Sequence, residues 1–317
     1  MDCGSIMKLR LVSITYVADA TNIYEFQSTD GSVLPAYEPG AHVGIHLPNG
    51  ISREYSLTRP YKAGQGYLVG IKLDRASKGG SRYIHENVRA GQILEVEAPK
   101  NNFPLHAGSE PAVLIAGGIG ITPIWCMAQH LAALKRPLEL HYAVRSRDEA
   151  AFLTEMRALI PTMHLHVDDE AGGTFLDVGA IVMKAPDNAH LYCCGPLPML
   201  EAFEKAMDSL PVERKHVEYF SSPNAPAMEG GFTVVLARSG REIQIPPGTT
   251  ILEALRAAGL SVVASCEQGV CGTCETRVIS GRPDHRDILL TPQEKASNNT
   301  MMICCSGSLD ARLVLDI

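Results

Sequence analysis

Four cysteines constrain this chain more than any other feature: Cys266-x4-Cys271-x2-Cys274, then Cys304 after 29 intervening residues. That spacing is the plant-type [2Fe–2S] pattern. Three thiolates from one short loop must converge on a small cluster, and Gly269 and Gly272 between them let the backbone turn and bring N–H donors near sulfur. A distant fourth thiolate closes the site. Cys305 stands beside Cys304, so spacing alone leaves that fourth ligand open between the two. Zinc is the competing reading, but zinc sites usually pair two close cysteine doublets, or cysteine with histidine. The chain has nine cysteines, an odd number, and five crowd into its last fifth. A disulfide framework would spread them, so ligation is the better reading. Cys3, Cys126, Cys193 and Cys194 read mostly as small buried hydrophobes.

The length of 317 residues suits two or three domains. Up to about residue 108, short β-rich runs such as Ala41–Leu47 and Tyr67–Leu73 alternate with turn signals, which argues an antiparallel barrel. From 109 to 227 strands and helices alternate. Ala112–Ala116, Leu138–Val144 and Ala189–Cys194 read as strands of a parallel doubly wound sheet. A helix opens at Thr122-Pro123, with proline at the first helical position and Met127, Leu131 and Leu134 on its apolar stripe. Ser221–Gly231 reads as a linker. Beyond it, Phe232–Ala237 and Arg241–Ile245 form a predicted hairpin around Ser239-Gly240. A helix follows from Thr250, with Thr250 and Glu253 as a capping box and Gly259 as its stop.

Two glycine-rich loops sit where an α/β sheet presents its ligand edge. Gly117-Gly118-Ile119-Gly120 follows a strand and opens a helix, so its N–H groups can face a pyrophosphate. It departs from G-x-G-x-x-G because Pro123 takes the third glycine's place. Cys194-Gly195-Pro196 follows another strand and suits the nicotinamide half. Arg145-Ser146-Arg147-Asp148-Glu149 offers arginines for a 2′-phosphate and acids for a ribose hydroxyl, so NAD and NADP both stay open. In the barrel segment, Arg53-Glu54-Tyr55-Ser56 and Lys78-Gly79-Gly80-Ser81 offer a charged fork, a flat ring and an anion-binding turn.

Net charge is −7, which disfavours nucleic acid as a partner, and no apolar run approaches the roughly 18 residues of a membrane span. The N-terminal residues lack the apolar core of a signal peptide, so the expected location is cytoplasmic.

In that order the motifs resemble the phthalate dioxygenase reductase family, particularly the reductase components of aromatic demethylases such as vanillate O-demethylase. Asp284-His285-Arg286-Asp287 and the tail Leu313–Ile317 share in the likeness, which covers nearly the whole chain. The resemblance implies three domains: an FMN-binding β-barrel (1–108), an NAD-binding α/β domain (109–227) and a C-terminal α+β plant-type ferredoxin of β-grasp type (228–317). Arg53, Tyr55 and Ser56 would hold the flavin, and Gly79, Gly80 and Ser81 its phosphate. Gly118, Gly120, Thr122, Cys194, Gly195 and Pro196 would line the nicotinamide site. Phe220, in Glu218-Tyr219-Phe220, would pack by the flavin; a core aromatic closing the domain is the alternative. Phe220 and Cys194 would shape the nicotinamide–flavin stack, with no acid or base assigned. The family's Met-x-x-Cys-x-Ser run sets Cys304 as fourth ligand after Cys266, Cys271 and Cys274. Gly307 replaces the family's usual arginine, and Asp284–Asp287 reads as a structural charged turn.

The implied function is electron transfer from NADH, or NADPH, through FMN and the [2Fe–2S] cluster to a terminal oxygenase. A Rieske-type oxygenase is the first choice and a cytochrome P450 the second. The protein is expected to be a monomer. A non-catalytic electron carrier is the reading from another class, and intact glycines at 117, 118, 120 and 195 count against it.

Overall fold

The computed structural model describes residues 6–75 and 79–317, so Cys3 and Lys78 lie outside the described residues. One compact unit runs to Phe220 and a second spans Ser221–Ile317.

The first unit opens with six antiparallel strands: β1 (Ile6–Ala18), β2 (Thr21–Ser28), β3 (His42–His46), β4 (Ser52–Ser56), β5 (Tyr67–Lys72) and β6 (Ile93–Glu97). Their order is β4-β3-β6-β1-β2-β5, and a bridge between Leu57 and Val69 joins the two edges into a barrel. Alternation does the sorting. Val43 and Ile45 of β3 point inward with Leu9, Phe26, Val69 and Val96, while His42 and His46 point to the other face. Each fully buried Leu, Ile or Phe contributes about 1.5–3 kcal/mol. Helix α1 (Gly80–Asn87) lies between β5 and β6 in the chain.

A parallel sheet follows, in the order β11-β10-β7-β8-β9, from β7 (Ala112–Gly117), β8 (Leu138–Val144), β9 (His164–Val167), β10 (His190–Cys194) and β11 (Lys215–Glu218). Helices α2 (Ile121–Ala133), α3 (Leu153–Leu159), α4 (Val178–Lys184) and α5 (Leu197–Met207) connect these strands. All six residues of β7 are buried, because both sheet faces are covered. Leu114, Ala116, Tyr192 and Cys194 face the core that holds α2; Val113, Ile115, Leu191 and Cys193 face α4 and α5.

Two details of α2 differ from expectation. It starts at Ile121, after a 3-10 turn over Gly118–Gly120, so Pro123 is third in the helix; its missing N–H is harmless there because first-turn N–H groups have no intrahelical partner. Leu134 is not part of the apolar stripe. The helix ends at Ala133, and Leu134 is its C-cap, 57% exposed.

Barrel and sheet are tied within this unit. Gln129 Nε2 donates to the Thr58 carbonyl at 2.8 Å, and Lys72 Nζ pairs with Glu149 Oε2 at 2.6 Å.

The second unit is a mixed sheet, β13-β12-β18-β14-β16, from β12 (Phe232–Leu236), β13 (Glu242–Ile245), β14 (Glu275–Ser280), β16 (Thr300–Met302) and β18 (Arg312–Leu315). The first and last strands, β12 and β18, pair in parallel at its centre, as a β-grasp requires. Two short strands, β15 (Pro283–Asp284) and β17 (Gly307–Ser308), form a separate ribbon. Helix α6 (Ile251–Ala257) packs on the sheet through Ile251, Leu252 and Leu255. Its expected capping box is present: Glu253 N–H donates to Thr250 Oγ1 at 3.2 Å, and Thr250 N–H to Glu253 Oε2 at 2.9 Å. Helix α7 (Pro292–Ser297) has the same box from Thr291 and Glu294. The expected linker holds no helix or strand, yet its second half is docked. Ala227 is buried, and its N–H donates to the Cys305 carbonyl at 2.8 Å.

Among the described residues, no helix is long and apolar enough to cross a membrane.

Candidate functional site

Strand β4 carries Arg53, Tyr55 and Ser56 into the barrel wall. Arg53 runs beneath the start of α1: a Cβ on Gly80 would lie 2.7 Å from Arg53 Cγ and 3.0 Å from its Nε. Glycine at 80 therefore leaves room for the guanidinium beside the first N–H groups of the helix. Gly79 caps that helix at φ 98°, a conformation that disfavours any side chain. Ser81 Oγ accepts from the Asp74 N–H at 3.1 Å. A helix N-terminus with a guanidinium packed against its first residue and a hydroxyl in its first turn is a donor set that fits a phosphate monoester. Tyr55 is half-buried against the barrel core, and burial pushes its phenol up, so it stays neutral. Ser56 is buried, opposite His42 in the β3–β4 ladder.

The two nucleotide loops come together at the carboxyl ends of the adjacent strands β7 and β10, where Ala116 pairs with Cys194. They pack backbone to backbone. A Cβ on Gly120 would lie 2.2 Å from the Cys194 carbonyl oxygen, and one on Gly117 would lie 2.6 Å from Pro196 Cδ. At the start of α2 Gly120, Ile121 and Thr122 are buried, whereas a Cβ on Gly118 in the preceding turn would meet nothing within 4 Å. Thr122 is buried. Its Oγ1 donates to the Ile119 carbonyl at 2.9 Å, and its methyl packs where Gly70 of the barrel lacks a side chain. It therefore braces the loop against the barrel.

Cys194 is fully buried, and across the strand pair it meets a residue that the sequence did not single out. Its Sγ donates to Glu218 Oε2 at 3.8 Å, and the two residues are in register on β10 and β11. Burial pushes the Glu218 carboxyl up to about 8, with the thiol contact opposing the shift, and burial with Glu218 holds the thiol well above its ordinary value. Both groups are proton-bearing at neutral pH. The only hint in the sequence is that Glu218 lies two residues before Phe220. Phe220 is 41% exposed, so it does not close a core; Tyr219 packs there instead.

After β8, Arg147 forks onto Glu170, with Nε to Oε1 at 2.7 Å and Nη2 to Oε2 at 2.6 Å. The guanidinium edge that would grip a 2′-phosphate is thus held by a carboxylate.

In the second unit the sulfurs converge. Cys271, Cys274 and Cys304 are buried and Cys266 is partly exposed. Cys266 touches both Cys271 and Cys304, and Cys304 touches Cys274. Hydrogen bonds from the Cys271 and Cys304 thiols, then from the Gln268 and Val270 N–H groups, pull Cys266 down to about 2. Its neighbours raise Cys304 in turn, and cysteines crowded this closely form a metal-ligating donor set. That donor set fits an iron–sulfur cluster. Cys304, rather than Cys305, reaches Cys266 and Cys274. Cys305 Sγ lies under Gly269, where a Cβ would come within 2.5 Å of it, and donates to the Met302 carbonyl at 3.7 Å.

Asp284–Asp287 proves to be the brace of this loop. Asp287 is fully buried, and its Oδ2 accepts from the Leu289 and Leu290 N–H groups at 3.1 and 2.9 Å. The next residue, Ile288, donates its N–H to the Gly269 carbonyl at 3.2 Å. Arg286 N–H donates to Ser306 Oγ at 3.1 Å, and its guanidinium grips Asp284. Gly307 fits the same design: a Cβ there would meet Ala227 Cβ at 2.8 Å.

Residues 234–307 match the 2Fe-2S iron-sulfur cluster binding domain, and residues 114–205 match the oxidoreductase NAD-binding domain. The chain is 49% identical to the phenoxybenzoate dioxygenase subunit beta of Ectopseudomonas oleovorans, over 98% of this chain and 97% of that one. The solved structure of phthalate dioxygenase reductase, described as transferring electrons from pyridine nucleotides to [2Fe-2S], superposes with a TM-score of 0.78. It is 34% identical, over 99% of this chain and 98% of that one. An intact type IV self-sufficient cytochrome P450 monooxygenase superposes with a TM-score of 0.83 at 35% identity. Here 98% of this chain matches 41% of that one.

Proposed function

The chain belongs to the phthalate dioxygenase reductase family, and from that premise we propose that it carries electrons from NADH to a Rieske-type terminal oxygenase, acting as a monomer. It is an NAD(P)H-dependent flavin iron–sulfur oxidoreductase, the reductase component of an oxygenase system, with FMN, a nicotinamide dinucleotide and a [2Fe–2S] cluster as cofactors. We assign these to residues 1–108, 109–227 and 228–317. When bound, FMN would supply the chemistry that links a two-electron hydride donor to a one-electron cluster.

The observation that carries this reading is the mutual contact of Cys266, Cys271, Cys274 and Cys304 in one unit, on a chain whose other unit sets glycines at each turn expected to meet a cofactor. Arg53 and the Gly79–Ser81 turn bind the phosphate, and Tyr55 offers its ring to the flavin. Gly118 lets the dinucleotide approach the backbone, while Gly120, Gly195 and Pro196 let the two nucleotide loops pack together to form its site. Cys194 and Phe220 shape the space for the nicotinamide, Thr122 braces that loop, and Glu218 keeps Cys194 in place. None of these side chains needs to supply an acid or base for hydride transfer. The Arg147–Glu170 fork supports NADH over NADPH.

Anaerobic titration with NADH, followed by visible absorption and low-temperature EPR, tests the internal path. Joint bleaching of flavin and cluster with a rhombic [2Fe–2S] signal is expected. Flavin bleaching without that signal would reduce the protein to a flavin reductase. Reconstitution with Rieske oxygenases tests the partner, and turnover only with a cytochrome P450 would favour the second reading, which the P450 superposition supports.

A further inference from the structure

On one edge of the parallel sheet, away from the cofactor loops, three ligand-type side chains share one patch. Glu139 and His141 are two residues apart on β8, so they point to the same face, and His164 lies directly opposite His141 on the edge strand β9. Both imidazoles aim Nε2 at one oxygen: Nε2 of His141 is 2.8 Å and Nε2 of His164 is 3.4 Å from Glu139 Oε1. The rings lie nearly parallel, 4.8 Å apart at 16°.

Ions of the zinc type bind imidazole nitrogen and carboxylate oxygen at about 2.0–2.2 Å in tetrahedral geometry, which separates neighbouring ligand atoms by about 3.3 Å. The distances here straddle that value. Two imidazoles and a carboxylate are a donor set suited to borderline divalent ions rather than to Mg2+ or Ca2+. Glu139 and His164 are 45% and 59% exposed at their side chains, which gives an ion an entry path and leaves its fourth position to water.

We propose that Glu139, His141 and His164 form a binding site for one divalent transition-metal ion of the zinc–nickel class, clipping the edge strand β9 onto β8. The clip joins the two strands that lead into Arg147 and Glu170. A second histidine group, His106, Glu110 and His190, is a poorer candidate. Its His190 Nδ1 is already within 2.9 Å of His216 Nε2, and the Arg136 and Arg214 charges bear on His190.

The test uses the full chain with cluster and flavin loaded, titrated with NiCl2 in a calorimeter. Wild type should bind one Ni2+, and Ni2+ should raise its melting temperature by a few degrees. His164→Ala and Glu139→Gln should each weaken binding at least tenfold and remove the thermal shift. His106→Ala should bind as wild type does. Both altered positions of the site are exposed, so the variants keep the fold. Absence of stoichiometric binding, full binding by His164→Ala and Glu139→Gln, or loss on His106→Ala would each overturn the proposal. None of these outcomes depends on electron transfer, so the proposed function stands or falls separately.

Discussion

Cys194 and Glu218 face each other across the parallel pair β10–β11, sulfur to carboxylate oxygen at 3.8 Å, at the edge where the nucleotide loops meet. Burial raises Glu218 to about 8 from an ordinary 4.5. The folded chain therefore holds a proton that the unfolded chain has lost between those values. Stability from this group is complete below about pH 4.5 and is lost as pH rises through 8. The effect is on the order of a few kcal/mol at most, since Glu218 keeps some contact with water. The histidines with lowered values, His216 among them, act in the opposite sense at low pH. The difference between wild type and Glu218→Gln isolates the carboxyl. Urea midpoints at pH 5.5 and 8.5 should fall further for wild type than for the variant, and parallel profiles would contradict the pairing.

The Arg53–Gly80 contact makes a sharper claim about the flavin. Gly80→Val should displace the guanidinium, and Arg53→Met should remove a charge-assisted hydrogen bond of about 1.5–3 kcal/mol. Either change should weaken FMN binding by about 10–100-fold. Flavin released on gel filtration measures this, while the cluster spectrum should stay intact. Equal flavin retention in all three proteins would place the phosphate elsewhere.

Cys304 and Cys305 are chain neighbours with different surroundings, and substitution separates them. Cys304→Ser should abolish the native rhombic signal, because its sulfur alone of the pair touches Cys266 and Cys274. Cys305→Ser should keep that signal, since its sulfur faces Gly269 and the Met302 carbonyl. EPR after reduction decides it, and the reverse result would exchange the two assignments.

What could be read from the sequence was local. Cys266-x4-Cys271-x2-Cys274 and the glycines at 117 and 120 carry their chemistry in their spacing, and Thr250 with Glu253 announces a helix start within four residues. Glu218 was harder, because its role exists only through a partner 24 residues away on a parallel strand. Leu134 failed for a related reason: periodicity does not say where a helix stops, and α2 ends one residue before it. Asp287 carries no ligand signal, since its work is done through backbone N–H groups.

That backbone role yields the last expectation. The Asp287 carboxylate is fully buried, and two N–H groups donate to one of its oxygens. Hydrogen bonds to a buried charge contribute about 1.5–3 kcal/mol each, and their loss leaves the N–H donors unpaired. Asp287→Ala should therefore destabilise the second unit by about 2–4 kcal/mol. Asp287→Asn keeps an acceptor oxygen and should lose less. Because Ile288 holds Gly269 directly, the damage should reach the cluster loop before the rest of the sheet. The observable is the rate at which a chelator bleaches the visible spectrum: fastest for the alanine variant, intermediate for asparagine, slowest for wild type. If the alanine variant bleaches at the wild-type rate while its sheet melts early, Asp287 supports the fold of this unit and the loop needs no brace.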